Sequence, residues 1–266
     1  MTSSRASDTS GLLEESLREL AGTGRLLVAL DFDGTLAPEV DEPEKARALP
    51  EARAAMLRLV AAPDTRVALV SGRALASLER VSENPDRVLL IGSHGIEVKL
   101  DTPDARLSLD DAEHARVAEL GALLRNVAAG FDEVWVESKP AGFALHTRLA
   151  TDADGRAAQL LALQRTEAEL PPLTVRHGKN VLEFSVRSTT KGEAIELLRE
   201  HTRATATFFA GDDVTDEDAF AALRDGDFGL KVGHGDTSAE FRVESPQDVA
   251  PVLDELARLR EASSRP

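Results

Sequence analysis

The sequence predicts an α/β protein with a doubly wound, mainly parallel, Rossmann-like core sheet, into which a small α+β cap (lid) domain is inserted. Short apolar runs, typical of strands buried on both faces, alternate with helical stretches over the first hundred residues or so. The pattern then changes to helix–strand–strand, twice, before the alternating pattern returns. We therefore expect a core domain made of residues 1–104 and 188–266, and an inserted cap of residues 105–187.

The composition excludes several classes of protein. The 266 residues include 31 Lys and Arg against 47 Asp and Glu, a net charge of -16, which disfavours nucleic acid and anionic membranes as partners. The absence of cysteine removes disulfides, thiol nucleophiles and cysteine-based zinc sites. The polar N-terminus lacks the apolar core of a signal peptide, and no apolar run approaches the ~20 residues of a membrane span. We expect a soluble, cytoplasmic monomer that acts on a small molecule.

Strands of the core are predicted where apolar runs end in polar turns. After residues 1–10, which are expected to be a disordered leader, three such strands cover Leu26–Leu30, Val67–Val70 and Val88–Ile91, with helices at about 12–20, 52–62 and 74–81. The second part of the core is predicted to contain the strands Thr205–Ala210 and Phe228–Val232, with helices at 191–201, 216–223 and 246–262. Ligands of such sheets bind beyond the carboxyl ends of the strands, where these polar turns lie.

The cap is predicted to present one polar sheet face. Its helices cover about 110–129 and 153–170, and its strands about 133–138, 142–149, 173–177 and 180–187. Side chains alternate between the faces of a strand, so the apolar set Phe143, Leu145, Leu182, Phe184 and Val186 packs on the helices. The charged set faces the other way: Glu137, Lys139, His146, Arg148, Lys179 and Glu183. An ordinary solvated sheet face is the alternative interpretation of this set.

Acidic side chains follow two of the core strands. Asp31 and Asp33 come directly after the first strand, with Gly34 freeing backbone amides to approach an anion. A lone Asp-x-Asp is often only a solvated turn, but two close carboxylates repel each other unless a cation neutralises them. Asp212 and Asp213 follow another buried strand, while Asp216 is interpreted as a helix cap. Because oxygen ligands suit Mg²⁺, the two clusters together predict a magnesium site.

Two further side chains favour a phosphate ligand. Ser71 ends the second strand, and Lys191 opens a helix. A single lysine is usually only a solvated charge, but a phosphate in an acidic site needs hydrogen-bond donors and a compensating cation.

The sequence resembles a known superfamily at four places in order. The segments Asp31-Phe32-Asp33-Gly34-Thr35, Ser71-Gly72-Arg73, Lys191-Gly192 and Gly211-Asp212-Asp213 match the four motifs of the haloacid dehalogenase superfamily of phosphotransferases. The run Gly211-Asp212-Asp213-Val214-Thr215-Asp216-Glu217-Asp218-Ala219-Phe220 is more specific and resembles the trehalose-6-phosphate phosphatases. Gly92-Ser93-His94-Gly95 and Glu137-x-Lys139 resemble the same family, and the resemblance covers roughly residues 25–235.

This resemblance implies a mechanism. Asp31 is expected to be the nucleophile that forms an aspartyl-phosphate, and Asp33 the general acid and then the general base. Ser71 and Lys191 are expected to hold the phosphoryl oxygens. Mg²⁺ is expected to bind the Asp31 side chain, the backbone carbonyl of Asp33, and Asp212, with Asp213 bound directly or through water. The residues expected to bind substrate are Thr35, Arg73, His94, Glu137, Lys139, Arg148, Lys179 and Glu183.

The spacing of the motifs places the cap. Only 40 residues separate Asp31 from Ser71, enough for one helix and one strand, whereas 120 separate Ser71 from Lys191. The cap therefore lies in the second interval, and in this superfamily that insertion point implies a lid of the type shared by sugar phosphatases and phosphomannomutases. Such a lid closes to exclude water and opens to release product.

Some positions leave alternatives open. The family often has His-Tyr-Arg where this chain has His146-Thr147-Arg148, and Val181 replaces a position that is often polar. His94 could bind substrate or bond within its own turn. The alternative activities are hydrolysis of sucrose phosphate, a glycosyl-phosphoglycerate or a pseudo-disaccharide phosphate, and a phosphomannomutase reaction. A sugar-phosphate sensor is the non-enzymatic alternative.

Overall fold

The computed structural model describes residues 3–83, 86–101, 109–178 and 180–263. The chain divides into two compact units: a core unit of Met1–Arg106 and Thr190–Pro266, and a cap unit of Leu107–Thr189. The expected boundary between residues 104 and 105 lies outside the described residues. The second expected boundary, between 187 and 188, lies two residues before the junction at Thr190.

Nineteen helices and strands are described, and their bounds in chain order follow. They are α1 (Ser3–Ala21), β1 (Leu26–Leu30), α2 (Pro50–Ala61), β2 (Thr65–Val70), α3 (Leu75–Ser82), β3 (Leu89–Gly92), β4 (Glu97–Lys99), α4 (Asp111–Ala128), β5 (Trp135–Lys139), β6 (Gly142–His146), α5 (Asp152–Glu169), β7 (Thr174–Gly178), β8 (Val181–Ser185), α6 (Lys191–Thr202), β9 (Ala206–Gly211), α7 (Glu217–Ala221), β10 (Phe228–Val232), β11 (Phe241–Val243) and α8 (Pro246–Ser263).

The core unit is built on a seven-stranded sheet in the order β11-β10-β9-β1-β2-β3-β4. Every neighbouring pair is parallel except β3 with β4, which is antiparallel. One apolar cluster joins strand side chains to α1, α2 and α8, and a second joins them to α6 and α7. Both faces of the sheet are therefore covered, which explains why the strands are continuously apolar. The predicted doubly wound, mainly parallel α/β class is confirmed.

Three details of the core differ from the sequence-based expectation. The first helix begins at Ser3, so the expected leader of residues 1–10 is helical over most of its length. The edge strands β4 and β11 were not predicted. Each has only three residues, too few to show an apolar run or a clear alternation.

The cap unit contains a four-stranded antiparallel sheet in the order β5-β6-β8-β7. Phe143, Leu145, Leu182 and Phe184 are buried, as are Leu120, Leu124 and Val127 of α4. The register aligns Glu137 with Ala144 and Ala144 with Glu183, so these positions share the opposite face. The arrangement is the one that strand alternation predicts.

The position of β1 determines where a ligand site can lie. The chain runs outward from β1 through β2 and β3, then returns to the other side of β1 through β9 and β10. The strand order therefore reverses between β1 and β9, and in doubly wound sheets ligands bind at such a switch point, beyond the carboxyl ends of the strands. Asp31 and Asp212 lie just past those ends.

No described helix has the combination of length and apolar composition that crossing a membrane requires.

Candidate active site

Asp31 is the first residue after β1, and its carboxylate is buried. Its backbone N–H donates to the carbonyl of Ala210 at 2.9 Å, which fixes it against β9. Its side chain accepts a hydrogen bond from Nζ of Lys191 at 2.7 Å. Lys191, the first residue of α6, is itself only 3% exposed. A buried carboxylate thus faces a buried ammonium at the switch point of the sheet.

Asp216 is the second partner of that ammonium, and sequence analysis gave it too small a role. One of its oxygens accepts from Nζ of Lys191 at 2.6 Å. The other accepts the backbone N–H groups of Asp212 and Asp213, at 3.0 and 2.9 Å. Asp216 does not cap α7, to which its side chain makes no capping hydrogen bond; it caps the 3-10 turn Val214–Asp216 instead. The side chain is fully buried and also forms an ion pair. Gly211 makes room, since a Cβ there would lie 2.3 Å from the carboxyl carbon of Asp216.

The charge of Lys191 is stabilised by its two partners. Burial alone would lower the pKa of its ammonium, but Asp31 and Asp216 outweigh burial and hold the pKa above its ordinary value. Lys191 is therefore a permanent cation at this place, as a site for a phosphoryl group requires.

Three carboxylates of the core unit form a group that could hold a cation. Ligand oxygens of Asp31, Asp212 and Asp216 all lie within 4.8 Å of one another. Burial, together with repulsion from Asp216 and Asp212, raises the pKa of Asp31 well above its ordinary range, against the attraction of Lys191. Burial and repulsion from Asp216 raise the pKa of Asp212 to about 6. Because a hard divalent cation would relieve this repulsion, the donor set fits Mg²⁺.

Asp33 is expected to bind the metal through its backbone carbonyl, and Asp213 directly or through water, so a place for their carboxylates outside the acidic group does not contradict the expected metal site. Asp31 and Asp212 belong to the acidic group, but the carboxylates of Asp33 and Asp213 do not. Asp213 is exposed, and its side chain accepts the N–H of Val214 at 2.6 Å.

Gly34 and Thr35 hold the side chain of Asp212. The hydroxyl of Thr35, expected to bind substrate, donates to Asp212 at 3.2 Å. Gly34 has φ +77°, a conformation that costs other residues energy, and a Cβ there would lie 2.1 Å from an oxygen of Asp212. The glycine therefore lets the Asp212 carboxylate approach the backbone.

Asp33 and Arg73, 40 residues apart in the chain, form an ion pair. Nε and Nη2 of Arg73 donate to the two carboxylate oxygens of Asp33 at 2.5 and 2.6 Å. The guanidinium also lies 5.9 Å from the centroid of the Phe32 ring. Arg73, expected to bind substrate, here binds the expected general acid.

Ser71 lies in a loop that neighbouring backbone groups hold in place. Its hydroxyl is buried and accepts the N–H of Arg73 at 3.1 Å. Glu97 of β4, which sequence analysis did not single out, accepts the N–H of Leu75 at 2.7 Å and the hydroxyl of Ser93 at 2.9 Å. Glu97 thereby ties the loops after β2 and β3 together.

His94 leans over Gly72. A Cβ on Gly72 would lie 2.6 Å from both Cε1 and Nε2 of the imidazole, so only glycine leaves room for the ring. The backbone of His94 has φ 55°, and its N–H donates to the carbonyl of Ser71 at 3.0 Å. The histidine thus lies directly beside the Ser71 loop.

Lys231 is a buried cation that sequence analysis did not detect. It is 3% exposed, and its Nζ donates to the carbonyl of Asp212 at 2.6 Å. The same ammonium lies 3.5 Å from Glu217. A lysine inside the apolar strand β10 was the available signal, because a buried lysine needs partners.

A cavity of about 750 Å³ opens beside the Asp33 and Arg73 pair. All of its lining residues belong to the core unit: Asp33, Glu39, Val40, Asp41, Pro43 and Arg73. The cavity has room for a sugar-sized group next to the expected general acid.

The expected substrate-binding residues of the cap unit lie on its polar face, except for Lys179, which lies outside the described residues. Glu137 accepts a hydrogen bond from Lys139 at 2.8 Å and lies 2.9 Å from Nε2 of His146. Burial raises the pKa of Glu137, but these two hydrogen bonds outweigh it, so the pKa lies below its ordinary value. Glu183 is aligned with Arg176 of β7 on this face.

The two departures from the family pattern have clear positions. Thr147 is buried on the helix side, where its hydroxyl accepts from Gln159 of α5 at 3.1 Å and donates to the carbonyl of Asn180 at 3.2 Å. Val181 is aligned with His146, on the polar face. The first departure therefore affects packing, and the second affects the polar surface.

Known proteins resemble this chain in sequence and in fold. A family model described as trehalose-phosphatase matches residues 29–247. A trehalose-phosphate phosphatase of Mycobacterium tuberculosis is 35% identical over 253 residues, covering 90% of this chain and 63% of that protein. The trehalose-6-phosphate phosphatase of Escherichia coli is 31% identical over 222 residues, covering 82% of each.

A solved structure shows the same fold. The C-terminal domain of the Candida albicans trehalose-6-phosphate phosphatase has a TM-score of 0.72 and 22% identity, and the match covers 93% of this chain and 96% of that one. This chain spans about 63% of the length of its mycobacterial relatives. The family model covers far more than half of the chain, and so the protein is a member of the trehalose-phosphatase family.

Proposed function

We propose that this protein hydrolyses trehalose 6-phosphate to trehalose and inorganic phosphate. The observation that carries the proposal is the buried Asp31 carboxylate, which faces Lys191 and two further carboxylates at the switch point of the sheet. A nucleophile, a cation for phosphoryl oxygens and ligands for a metal are thus within one small volume. Membership of the trehalose-phosphatase family supports the choice of substrate.

In the first step, a carboxylate oxygen of Asp31 attacks phosphorus and forms an aspartyl-phosphate, and the bond between phosphorus and the sugar oxygen breaks. Asp33 gives its proton to that sugar oxygen, so trehalose leaves as a neutral molecule. Lys191 and Ser71 bind the phosphoryl oxygens and stabilise the charge that these oxygens carry in the transition state.

In the second step, the ionised Asp33 takes a proton from a water molecule, and the water oxygen attacks the phosphorus of the aspartyl-phosphate. The bond between Asp31 and phosphorus breaks, inorganic phosphate leaves, and the Asp31 carboxylate is restored. The buried positions of Asp31 and Lys191 keep other water molecules away from the acyl phosphate.

Asp31, Asp212 and Asp216 are the side chains that would hold Mg²⁺. The backbone carbonyl of Asp33, and Asp213 directly or through water, would complete the set. When bound, the metal supplies positive charge that neutralises the phosphoryl group as it is transferred. Thr35 and Gly34 orient Asp212 for this role through the hydroxyl bond and the close approach described above.

Arg73 has to release Asp33 before Asp33 can carry a proton to the sugar. In the pair, both carboxylate oxygens of Asp33 accept hydrogen bonds from the guanidinium. We propose that substrate takes the place of Asp33 on Arg73, which links sugar-phosphate binding to release of the general acid.

We propose that the polar face of the cap, residues 105–187, binds and recognises the disaccharide. Glu137 and Glu183 accept hydrogen bonds and Lys139 and Arg148 donate them, and sugar hydroxyls can do both. Closing of such a lid would exclude water during the reaction.

The test is phosphate release from a panel of sugar phosphates, with and without Mg²⁺. We expect Mg²⁺-dependent release, fastest with trehalose 6-phosphate, and loss of it in Asp31→Asn. The matched control is Asp225→Asn, because Asp225 is an exposed carboxylate of the same unit and its loss leaves the site intact.

Other outcomes would point elsewhere. Release that survives in Asp31→Asn would refute the covalent mechanism. Faster release from sucrose phosphate, a glycosyl-phosphoglycerate or a pseudo-disaccharide phosphate would show that this compound, and not trehalose 6-phosphate, is the preferred substrate. Transfer to a second sugar phosphate would favour a phosphomannomutase, and binding without turnover would favour a sensor.

A further inference from the structure

The single tryptophan of the chain lies on the polar face of the cap sheet, in a stack of three side chains. The ring of Trp135 is parallel to the imidazole of His146, with centroids 4.9 Å apart and an interplanar angle of 8°. The guanidinium of Arg148 lies 5.4 Å from the centroid of the indole. We call Trp135, His146 and Arg148 the cap stack.

His146 links the cap stack to the carboxylate of Glu137. Nε2 of His146 lies 2.9 Å from one oxygen of Glu137, and Nζ of Lys139 donates to the other at 2.8 Å. The three residues of this face that we propose to read the sugar, Glu137, Lys139 and Arg148, are therefore joined through two residues with no role assigned so far.

Strand register explains why the stack forms. Trp135 of β5 is aligned with His146 of β6, and cross-strand partners point to the same face. Glu137 follows Trp135 by two residues in β5, so alternation places both on the same face. Arg148 lies in the turn after β6, and its contact with the indole places its guanidinium at the same ring pair. A large aromatic residue needed only for the core would be expected on the other face, with Phe143 and Leu145.

We propose that Trp135 and His146 are positioning residues, which hold the guanidinium of Arg148 and the carboxylate of Glu137 ready for the hydroxyls of a disaccharide phosphate. The inference rests on the proposed function and extends it to two residues outside the expected substrate-binding set. Long side chains lose rotamer freedom when they grip a ligand. The cap stack restricts Arg148 and Glu137 before binding, so the indole and the imidazole contribute to affinity without touching the sugar.

The test compares a disaccharide phosphate with a small phosphate ester. In Trp135→Leu, which removes the stacking surface, we expect KM for trehalose 6-phosphate to rise about tenfold, from the freedom regained by two side chains. We expect kcat/KM for p-nitrophenyl phosphate to change less than twofold, because that ester has no sugar hydroxyls for Arg148 and Glu137 to bind. Trp135→Phe keeps an aromatic ring and is expected to restore most of the affinity.

His146 offers an independent pair of variants in case Trp135→Leu fails to fold. His146→Phe keeps a ring for the stack but loses the hydrogen bond to Glu137, and His146→Gln does the reverse. We expect each to raise KM for trehalose 6-phosphate by a smaller factor than Trp135→Leu. Leu160→Ala, at a 57% exposed position on α5, is the control and should leave KM unchanged.

Fluorescence gives a second measurement that does not depend on turnover. Since Trp135 is the only tryptophan, emission from Asp31→Asn protein titrated with trehalose 6-phosphate reports on the cap stack alone. We expect a saturable change with the sugar phosphate and none with inorganic phosphate.

Failure of the inference differs from failure of the proposed function. If wild-type protein releases no phosphate from trehalose 6-phosphate, the proposed function is wrong. If it does, but KM is unchanged in Trp135→Leu and in both His146 variants, the positioning roles are refuted. Equal losses with trehalose 6-phosphate and p-nitrophenyl phosphate would also refute them, since they would indicate a general structural defect.

Discussion

Replacing Asp216 with asparagine should separate the role of its charge from its role in holding the backbone of the turn after Asp212. The amide oxygen of asparagine can still accept a backbone N–H, so the turn after Asp212 keeps a hydrogen-bond acceptor. The negative charge beside Lys191 disappears, and with it a member of the acidic group. The effect of this change differs with and without metal.

Without metal, two effects of the substitution oppose each other. Removing one partner of a buried ion pair costs about 3–5 kcal/mol, and Asp216 and Lys191 are both buried, 2.6 Å apart. Lys191 nevertheless keeps Asp31 at 2.7 Å. Repulsion by Asp216 also raises the pKa values of Asp31 and Asp212, so its removal relieves strain between carboxylates. We therefore expect the free energy of unfolding to fall by only about 1–3 kcal/mol, less than the full loss of a partner.

With Mg²⁺ present, the substitution removes a candidate ligand and gains nothing in return. We expect the rise in melting temperature that saturating Mg²⁺ gives the wild type to be largely lost. We also expect kcat/KM to fall by about 100-fold or more, because Lys191 and the metal ligands are no longer held together. Thermal unfolding with and without Mg²⁺, and phosphate release, measure both effects.

Asp218→Asn is the matched control for this experiment. It removes the same charge two residues further along, from an exposed side chain in the first turn of α7. It should leave both the Mg²⁺-induced shift and the rate close to those of the wild type. If Asp216→Asn behaves like this control, the assignment of Asp216 to the site is wrong.

Three further predictions concern the acidic group of Asp31, Asp212 and Asp216. Gly34→Ala should reduce Mg²⁺ affinity, measured by calorimetry, because the new Cβ would lie 2.1 Å from the Asp212 carboxylate at a φ of +77°; unchanged affinity would show that Asp212 needs no such approach. Mg²⁺ affinity should also rise with pH up to about 6 and then level off, since the raised pKa of Asp212 favours its protonated form and metal binding requires the ionised one. The same shift affects stability, because the folded protein binds the proton of Asp212 more tightly than the unfolded chain does. The metal-free protein should therefore lose stability as the pH rises from about 4 to about 6. Melting curves across the window, with and without Mg²⁺, check both trends, and a Mg²⁺-induced shift that does not vary with pH would contradict them.

The core fold could be predicted because its strands are buried on both faces and therefore stand out as apolar runs. Each of these runs is followed directly by a residue of the candidate active site: Asp31 follows β1, Ser71 follows β2, and Asp212 follows β9. Lys191 stands out because it opens a helix after a long insertion. Local patterns were sufficient for these positions.

The contacts that sequence could not give depend on which distant residues meet. Asp216 has the usual sequence context of a helix cap, and only burial beside Lys191 shows its second role. Arg73 and Asp33 meet because β1 and β2 are neighbouring strands. The sequence alone is equally compatible with a direct contact between each of these residues and the substrate. Trp135 and His146 stack because of a strand register that alternation alone does not determine.

The most direct test of the account is chemical trapping of the aspartyl-phosphate. Borohydride reduces an acyl phosphate of aspartate to homoserine, which peptide mass mapping locates in the chain. In protein quenched during turnover of trehalose 6-phosphate with Mg²⁺, we predict homoserine at position 31 and none in protein quenched without substrate. Unmodified Asp31 in samples that are releasing phosphate, or homoserine at another aspartate, would contradict the assignment of Asp31 as the nucleophile.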